Sequence, residues 1–496
     1  MAEKKSSGSK NSTGKSSQAK KSASGKKPSS GRSSTKTNVN RIVKAAKKYD
    51  TDKSFKDNQD AVLDVISATA ASAKRASNKK QKKFFTVLAV VMVIAFIGIS
   101  IYCYLGGWMN TLIYGQDGYI ASASHNVDYD AAVIKQNDLS VHFLELGNKY
   151  VGDSVYIKAG ETDVLIDAGS RNSSSAIITQ YVNQYVTDGK LECVIATHAH
   201  QDHIAGFVGT KDAPGIFEAF DIDTIIDFPL TNLKETTEKG SKTLYGNYME
   251  KREKAVSNGA KRYSALSCYN NQGDARRTYK LSDTVELEVL YNYFYDHNST
   301  DENNYSVVVM LHQYANDYDH ANPDSAENNG KVNHYFFSGD LEKEGEEKLV
   351  EYYSNSNGHD ALPHCVLYKA GHHGSKTSST KALMAALSPE YVCVCCCAGT
   401  SEYTKANENQ FPTQQFVDNV APYTDKVYVT TVVDFYADTK WSARGTVKSM
   451  NGNIAVACSG DKIKEIQIAC TNNNTLLKDT DWFKQHRICP KEWQQQ

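Results

Sequence analysis

The sequence predicts a mixed α/β (α+β) fold built on two sheets faced by helices, not on a single parallel sheet. Two observations lead there. Beyond residue 139, short apolar or alternating runs come first as hairpin neighbours and then alternate with helical segments. Clusters of His and Asp follow directly on three of the apolar runs, so polar chemistry is delivered at strand ends.

The elements follow in order. Ser140 to Leu146 alternates like a strand, and Ser154 to Lys158 and Asp163 to Asp167 flank Ala159-Gly-Glu-Thr162, a hairpin signature. Residues 173–188 read as helix. Cys193 to Ala196 is a short apolar run, hence a buried strand, and Asp223 to Phe228 is another strand. Residues 243–258 are helical and charged. Val285 to Tyr291, Ser306 to His312 and Asn333 to Phe337 read as strands, Leu341 to Tyr352 as helix, Cys365 to Lys369 as strand and Lys381 to Leu387 as helix. Tyr391 to Ala398 is a strand using cysteine as a small apolar residue. A thiolate metal site is the alternative, but it usually shows CxxC spacing. The helix Thr413 to Val420 and the strand Lys426 to Thr431 come next. Thr446 to Ser449, Ile454 to Cys458 and Ile463 to Ala469 then read as an antiparallel, β-rich extension over 436–496.

The net charge of −1 conceals a split: residues 1–83 hold 22 Lys and Arg against 6 Asp and Glu, whereas the remainder holds 34 against 51. Residues 1–40 are Ser, Lys, Gly and Thr with almost no apolar content, which predicts disorder. Residues 1–83 as a whole read as a basic arm, suited to anionic lipid and, as a second option, to nucleic acid. The divider, Phe84 to Leu105, has no charged side chain. At ~1.5 Å per residue it spans ~33 Å, the thickness of a bilayer core, and so reads as a transmembrane helix. Lys79, Lys80, Lys82 and Lys83 precede it, and no Lys or Arg occurs from Gly106 to Asp128. The positive-inside rule then places the arm in the cytoplasm and the rest outside the cell. Residues 106–138 read as a linker and 139–435 as the catalytic body. Outside the cell disulfides are permitted, but the pairing of the eleven cysteines is not readable from their order.

The chemistry centres on Thr197-His-Ala-His-Gln-Asp-His203, which leaves the strand at Ala196. Three imidazoles and a carboxylate packed this closely need partners, and a metal partners all four. His198 and His200 point the same way off an extended chain and grip one ion, while Asp202 and His203 turn toward a second. Tyr335-Phe-Phe-Ser-Gly-Asp340 places Asp340 at a strand end, where it can bridge two ions or act as a helix N-cap. In Gly371-His-His-Gly374 the adjacent imidazoles His372 and His373 can diverge, one to each ion; the alternative is one ligand with an orienting neighbour. Ser375, Lys376 and Thr377 follow as a donor-rich patch suited to a phosphate oxygen, or as an ordinary solvated loop. Asp202, Asp340 and Lys376 are assigned to catalysis, with Lys376 against developing oxyanion charge. Asp167 is read as an orienting group rather than a ligand.

The His198-x-His200-x-Asp202-His203 signature resembles that of the metallo-β-lactamase superfamily. Gly152-Asp-Ser154, Val164-Leu-Ile-Asp-Ala-Gly169, Asn303-Asn-Tyr-Ser306, Phe337-Ser-Gly-Asp340 and Gly371-His-His-Gly-Ser-Lys376 are similar to segments of the hydrolase domain of ComEC-type DNA-internalisation competence proteins. The resemblance covers about Leu139 to Thr431. It implies an αββα sandwich with two divalent metal ions, zinc or manganese, and supports both His372 and His373 as ligands. Phe411-Pro412 stands where that family often carries His-Pro, a departure that bears on substrate recognition. The resemblance also implies a hydrolase acting on phosphodiesters, including nucleic acid, as in a nuclease linked to DNA uptake; a cell-wall phosphate polymer is the alternative that the charge balance penalises less. The negative balance of the outer part argues against a nonspecific nuclease, because DNA affinity comes largely from Lys and Arg contacts. A lactamase or thioesterase is a further enzyme reading. A catalytically idle, metal-stabilised binding domain tethered to the membrane is the reading from a different class.

Overall fold

A computed structural model describes residues 65–72, 79–80, 82–91, 93, 134, 136–147, 151–400, 404, 406–433, 447–449 and 451–494. The chain divides into two compact units, 1–105 and 106–496. In the first, residues 65–72 and 82–91 are helical. Most of the basic arm, the second half of the expected span and nearly all of the expected linker lie outside the described residues. Among the described residues no helix is long and apolar enough to cross a membrane, so the transmembrane helix expected from Phe84 to Leu105 is not recovered.

Among its described residues the second unit holds two eight-stranded sheets. The first has the order β16-β15-β1-β2-β3-β4-β5-β6. Its strands are β1 (Leu139–Phe143), β2 (Val155–Ala159), β3 (Thr162–Ile166), β4 (Lys190–Ala196), β5 (Asp221–Asp227), β6 (Lys261–Ser264), β15 (Ile454–Cys458) and β16 (Gln467–Cys470). The second has the order β14-β13-β12-β11-β10-β9-β8-β7. It comprises β7 (Thr278–Lys280), β8 (Val285–Val289), β9 (Val309–Tyr314), β10 (Val332–Phe337), β11 (Leu367–Lys369), β12 (Tyr391–Ala398), β13 (Val427–Val433) and β14 (Val447–Ser449). The two-sheet expectation therefore holds. β6 and β7 escape sequence reading because they are short, polar edge strands with mostly exposed or half-buried residues.

The boundary expected at residue 435 does not separate layers. β14 pairs with β13, and β15 pairs antiparallel with β1 inside the first sheet, between β1 and the edge strand β16. The C-terminal strands are thus part of both sheets, and only chain order makes them look like an extension.

Strand alternation explains the core. Leu311, Tyr335, Phe337, Cys393, Cys395 and Cys397 face the same apolar cluster as Val141 and Phe143 of β1. Their neighbours Met310, Phe336, Val392, Val394 and Cys396 face a second cluster with Leu349, Leu383, Met384, Phe416 and Val420 from the helices Lys343–Tyr352, Lys381–Leu387 and Gln414–Val420. Each large apolar side chain so buried contributes about 1.5–3 kcal/mol. The cysteine run is accordingly core. All ten cysteines from Cys193 to Cys489 are free and nine are buried. β3 to β6 run parallel, as do β10 to β13, so the ends of β4, β10 and β11 deliver their polar residues to one edge.

Candidate metal centre

Three segments build the centre. The first leaves β4: His198, then His200 as N-cap of the helix Gln201–Val208, whose first turn carries Asp202 and His203. The second leaves β10 through Gly339 to Asp340. The third leaves β11 into a tight turn in which both His372 and His373 adopt left-handed backbone (φ +44° and +53°). Two adjacent non-glycine residues in that region are held there against steric preference, a pattern found at functional sites. The turn splays the two rings 6.0 Å apart at 61°, the divergence expected from the flanking glycines. Gly152 is required for a different reason: a Cβ there would meet the Asp202 carbonyl at 2.1 Å, so only glycine lets the 151–154 loop pass beneath the ligand turn.

The seven expected ligands form one network. His198 Nε2 lies 3.2 Å from His200 Nδ1, and the His198 and His203 rings are 4.1 Å apart. Asp340 sits at the centre, its Oδ2 3.1 Å from His203 Nε2, 3.5 Å from His373 Nε2 and 3.9 Å from His372 Nε2. Asp202 Oδ2 lies 3.4 Å from His373 Nε2. His198, His203, Asp340 and His373 are buried, whereas His200 and His372 are partly open to solvent. Lys376 is exposed, and its ammonium donates to Asn409 Oδ1 at 2.9 Å, outside this network. Ser375 and Thr377 bond to each other, and Thr377 Oγ1 donates to Glu342.

The outward nitrogens of the imidazoles are held by groups that sequence reading mostly missed. Asp167 accepts from His203 Nδ1 at 2.7 Å and from Thr197 N and Oγ1 at 2.8 Å each, which is the orienting role expected of it. Glu342, the N-cap of the helix Lys343–Tyr352, holds His372 Nδ1 at 2.8 Å and receives Asn303 Nδ2 at 3.2 Å. His373 Nδ1 lies 2.9 Å from the Cys395 carbonyl and 3.1 Å from Asp153 Oδ1. The ammonium of buried Lys369 rests on the other Asp153 oxygen and donates to the carbonyls of Gly339 and Ala370. The Gly-Asp-Ser and Leu-Tyr-Lys segments were the available signals for Asp153 and Lys369, but neither carries metal-ligand spacing. An imidazole fixed at Nδ1 presents Nε2 in a set direction, which is how orienting partners tune metal ligands.

Asp153, His203, Asp340 and His373 bring ligand-type atoms within 4.8 Å of one another. Asp153 faces Nδ1 atoms and an ammonium, which places it to orient, whereas His203, Asp340 and His373 are the members that could hold a cation. The residues fit a bound cation on two further counts. Asp340 Oδ1 is buried with no hydrogen-bond partner among the described residues, an uncommon state for a carboxylate oxygen. The electrostatics also call for positive charge. Burial opposes ionisation of Asp340, but His203, His373 and His372 outweigh it and hold the carboxyl well below its ordinary range. Burial likewise opposes charge on His203 and His373, yet the facing carboxylates hold both well above the ordinary imidazole value. Burial and neighbouring His203 push His198 well below it. Phe411 closes one side, its ring 5.6 Å from His372 and 6.1 Å from His373, against which it is stacked.

Residues 147–216 match the family model described as the metallo-beta-lactamase superfamily. Solved structures similar to the chain include MEM-A1, a subclass B3 metallo-beta-lactamase from a soil metagenome library, at 13% identity over 41% of this chain and 61% of its own, with a TM-score of 0.24. SMB-1, a metallo-beta-lactamase bound to 2-mercaptoethanesulfonate, is 12% identical over 50% and 83%, with a TM-score of 0.28. A probable metal-dependent hydrolase from Staphylococcus aureus is 12% identical over 69% and 99%, with a TM-score of 0.25. The chain thus spans 61% of the length of MEM-A1. No curated protein matches.

Proposed function

We propose that this chain, whose residues 147–216 match the metallo-beta-lactamase superfamily model, is a metal-dependent hydrolase that cleaves phosphodiester bonds and is anchored to a membrane. The observation that carries the hydrolase reading is Asp340: one carboxylate oxygen within 3.1–3.9 Å of three imidazole Nε2 atoms, each imidazole fixed from behind. A pair of divalent ions, zinc or manganese, would supply Lewis acidity and lower the pKa of a water toward neutrality. His198, His200, Asp202, His203, Asp340, His372 and His373 are the residues to hold it. Asp167, Glu342 and the Asp153–Lys369 pair keep the imidazoles aimed, and the carboxylates of Asp202 and Asp340 stand ready to accept a proton from the attacking water.

The phosphodiester preference rests on the resemblance of the Gly371-to-Lys376 segment to the competence-protein branch. Lys376 stays within the reading because it is exposed and Asn409 takes only one of its three donors. The acidic balance of residues 84–496 favours a small phosphodiester or a cell-wall phosphate polymer over free DNA. Anchoring is supported by the apolar residues Phe84, Val87, Val90 and Val91, which lie exposed along the described helical stretch. The lysines before it support an inward arm and an extracytoplasmic hydrolase.

The test is hydrolysis of bis-p-nitrophenyl phosphate by the detergent-purified full chain, with metal content measured in parallel. Metal-dependent turnover, abolished by His200→Ala and Asp340→Asn, is expected. A full complement of two metals with no turnover of any phosphoester in a panel of DNA, teichoic-acid-like and small diesters would refute the phosphodiesterase reading and leave the tethered binding domain. Turnover of a β-lactam alone would redirect it to a lactamase.

A further inference from the structure

The C-terminal segment contains a guanidinium in an unusual setting. Arg487 is 8% exposed, and among the described residues no carboxylate pairs with it. Its donors go to main-chain oxygens instead: Nε to Pro412 at 2.8 Å, Nη1 to Asn407 at 3.3 Å and to His486 at 2.8 Å, and Nη2 to Gln410. Its carbon lies 4.6 Å over the Trp482 ring. A buried cation without a counter-ion is costly unless its donors are saturated. Here the planar fork reaches three carbonyls of one short segment, a geometry that lysine's single ammonium cannot reproduce.

That segment, 407–412, lies against the metal centre. It carries Phe411 on the rings of His372 and His373 and presents Asn409 to Lys376. Its far end is fixed by Thr413 N to the Gly374 carbonyl at 2.9 Å, and Pro412 packs so tightly on Gly374 that a Cβ there would meet it at 2.9 Å.

We infer that Arg487 is a positioning residue of the site: it sets the 407–412 segment so that Phe411 forms a fixed wall beside the histidine doublet, and that wall selects substrates by the bulk of the group next to the scissile bond. This rests on the hydrolase reading for the word substrate, but the positioning claim does not. The helix Asp481–His486, with Trp482 beneath the guanidinium, would then be part of the active-site architecture.

The experiment uses the full chain with Arg487→Met, Arg487→Lys, Phe411→Ala and the double variant Arg487→Met/Phe411→Ala. Amide exchange is followed over 406–413, alongside metal content and kinetics on a small and a bulky phosphodiester. In both Arg487 variants protection over 406–413 is expected to fall about tenfold, the effect of losing ~1.4 kcal/mol of hydrogen bonding, while two metals stay bound. Arg487→Met and Phe411→Ala should shift the ratio of KM values for bulky and small substrates in the same direction, and the double variant should add little. Unchanged protection over 406–413 in Arg487→Met, or effects on that ratio that simply add, would overturn the proposal. Should Arg487→Met fail to fold, Arg487→Lys serves, with retained protection as the overturning result. Absence of turnover in the unmutated chain would defeat the hydrolase reading alone, because the exchange and metal measurements still decide the positioning claim.

Discussion

Glu346 offers a sharp test of how the turn after the histidine doublet is held. Its carboxylate is buried and accepts the backbone N–H of Ser379 at 2.6 Å and of Thr380 at 2.7 Å, tying the helix Lys343–Tyr352 to the segment that follows Gly371–Gly374. Burial is the largest influence on it and raises its pKa from 4.5 to about 7, the backbone donors offsetting only part of the desolvation. A carboxyl with a folded pKa above its unfolded value binds a proton more readily in the native state. It therefore contributes stability that is complete below pH 4.5 and is lost as the pH rises through 7. Integrating the proton-binding difference gives a loss of about 2–3 kcal/mol between pH 5 and pH 8. Glu346→Gln removes the titration and one acceptor, the second as a constant offset at every pH. Urea denaturation of the wild type and the variant at pH 5 and pH 8 isolates the effect, because all other titrating groups cancel in the difference. The variant should gain about 2–3 kcal/mol on the wild type between the two pH values. A difference independent of pH would refute the reasoning. Glu346→Ala leaves two buried N–H groups unpaired and should cost about 2–6 kcal/mol at pH 5.

Three other outcomes follow from the packing. Asp167→Asn cannot hold the Thr197 amide, the Thr197 hydroxyl and His203 Nδ1 together; zinc affinity measured by chelator competition should fall about 10–100-fold, with little change in fold by circular dichroism. Asp227 is fully buried and receives Arg252 and Arg262 at 2.6 Å each. Asp227→Ala leaves buried Arg252 with Glu253 as its one remaining carboxylate among the described residues and frees exposed Arg262 to solvent; it should lower the unfolding free energy by about 1–3 kcal/mol, with part of the loss recovered in Asp227→Ala/Arg252→Met. Of the ten described cysteines, Cys489 alone is not buried, and burial pushes the thiols of Cys193, Cys268, Cys395 and Cys470 up. Among these ten, native thiol labelling monitored by peptide mass should modify Cys489 only, all ten becoming reactive in denaturant.

The sequence by itself determined the buried strands, and the structure showed that their successive side chains enter two apolar clusters. Tyr335-Phe-Phe337 and Val392 to Ala398 read as strands because a short unbroken apolar run is a local property. It likewise singled out the histidines of the candidate site, since imidazoles and carboxylates crowded at strand ends have few other ways to be satisfied. Tertiary structure alone decided the rest, for one physical reason: partners contributed by distant segments leave no spacing to read. Asp153 meets His373 and Lys369, Glu342 meets His372, and Arg487 meets Pro412 only after the sheets have stacked. Which face of each imidazole is fixed and which is left for a cation is set by those long-range contacts. So is the membership of β14, β15 and β16 in the two sheets, because strand pairing is chosen by the register of buried faces and not by order along the chain.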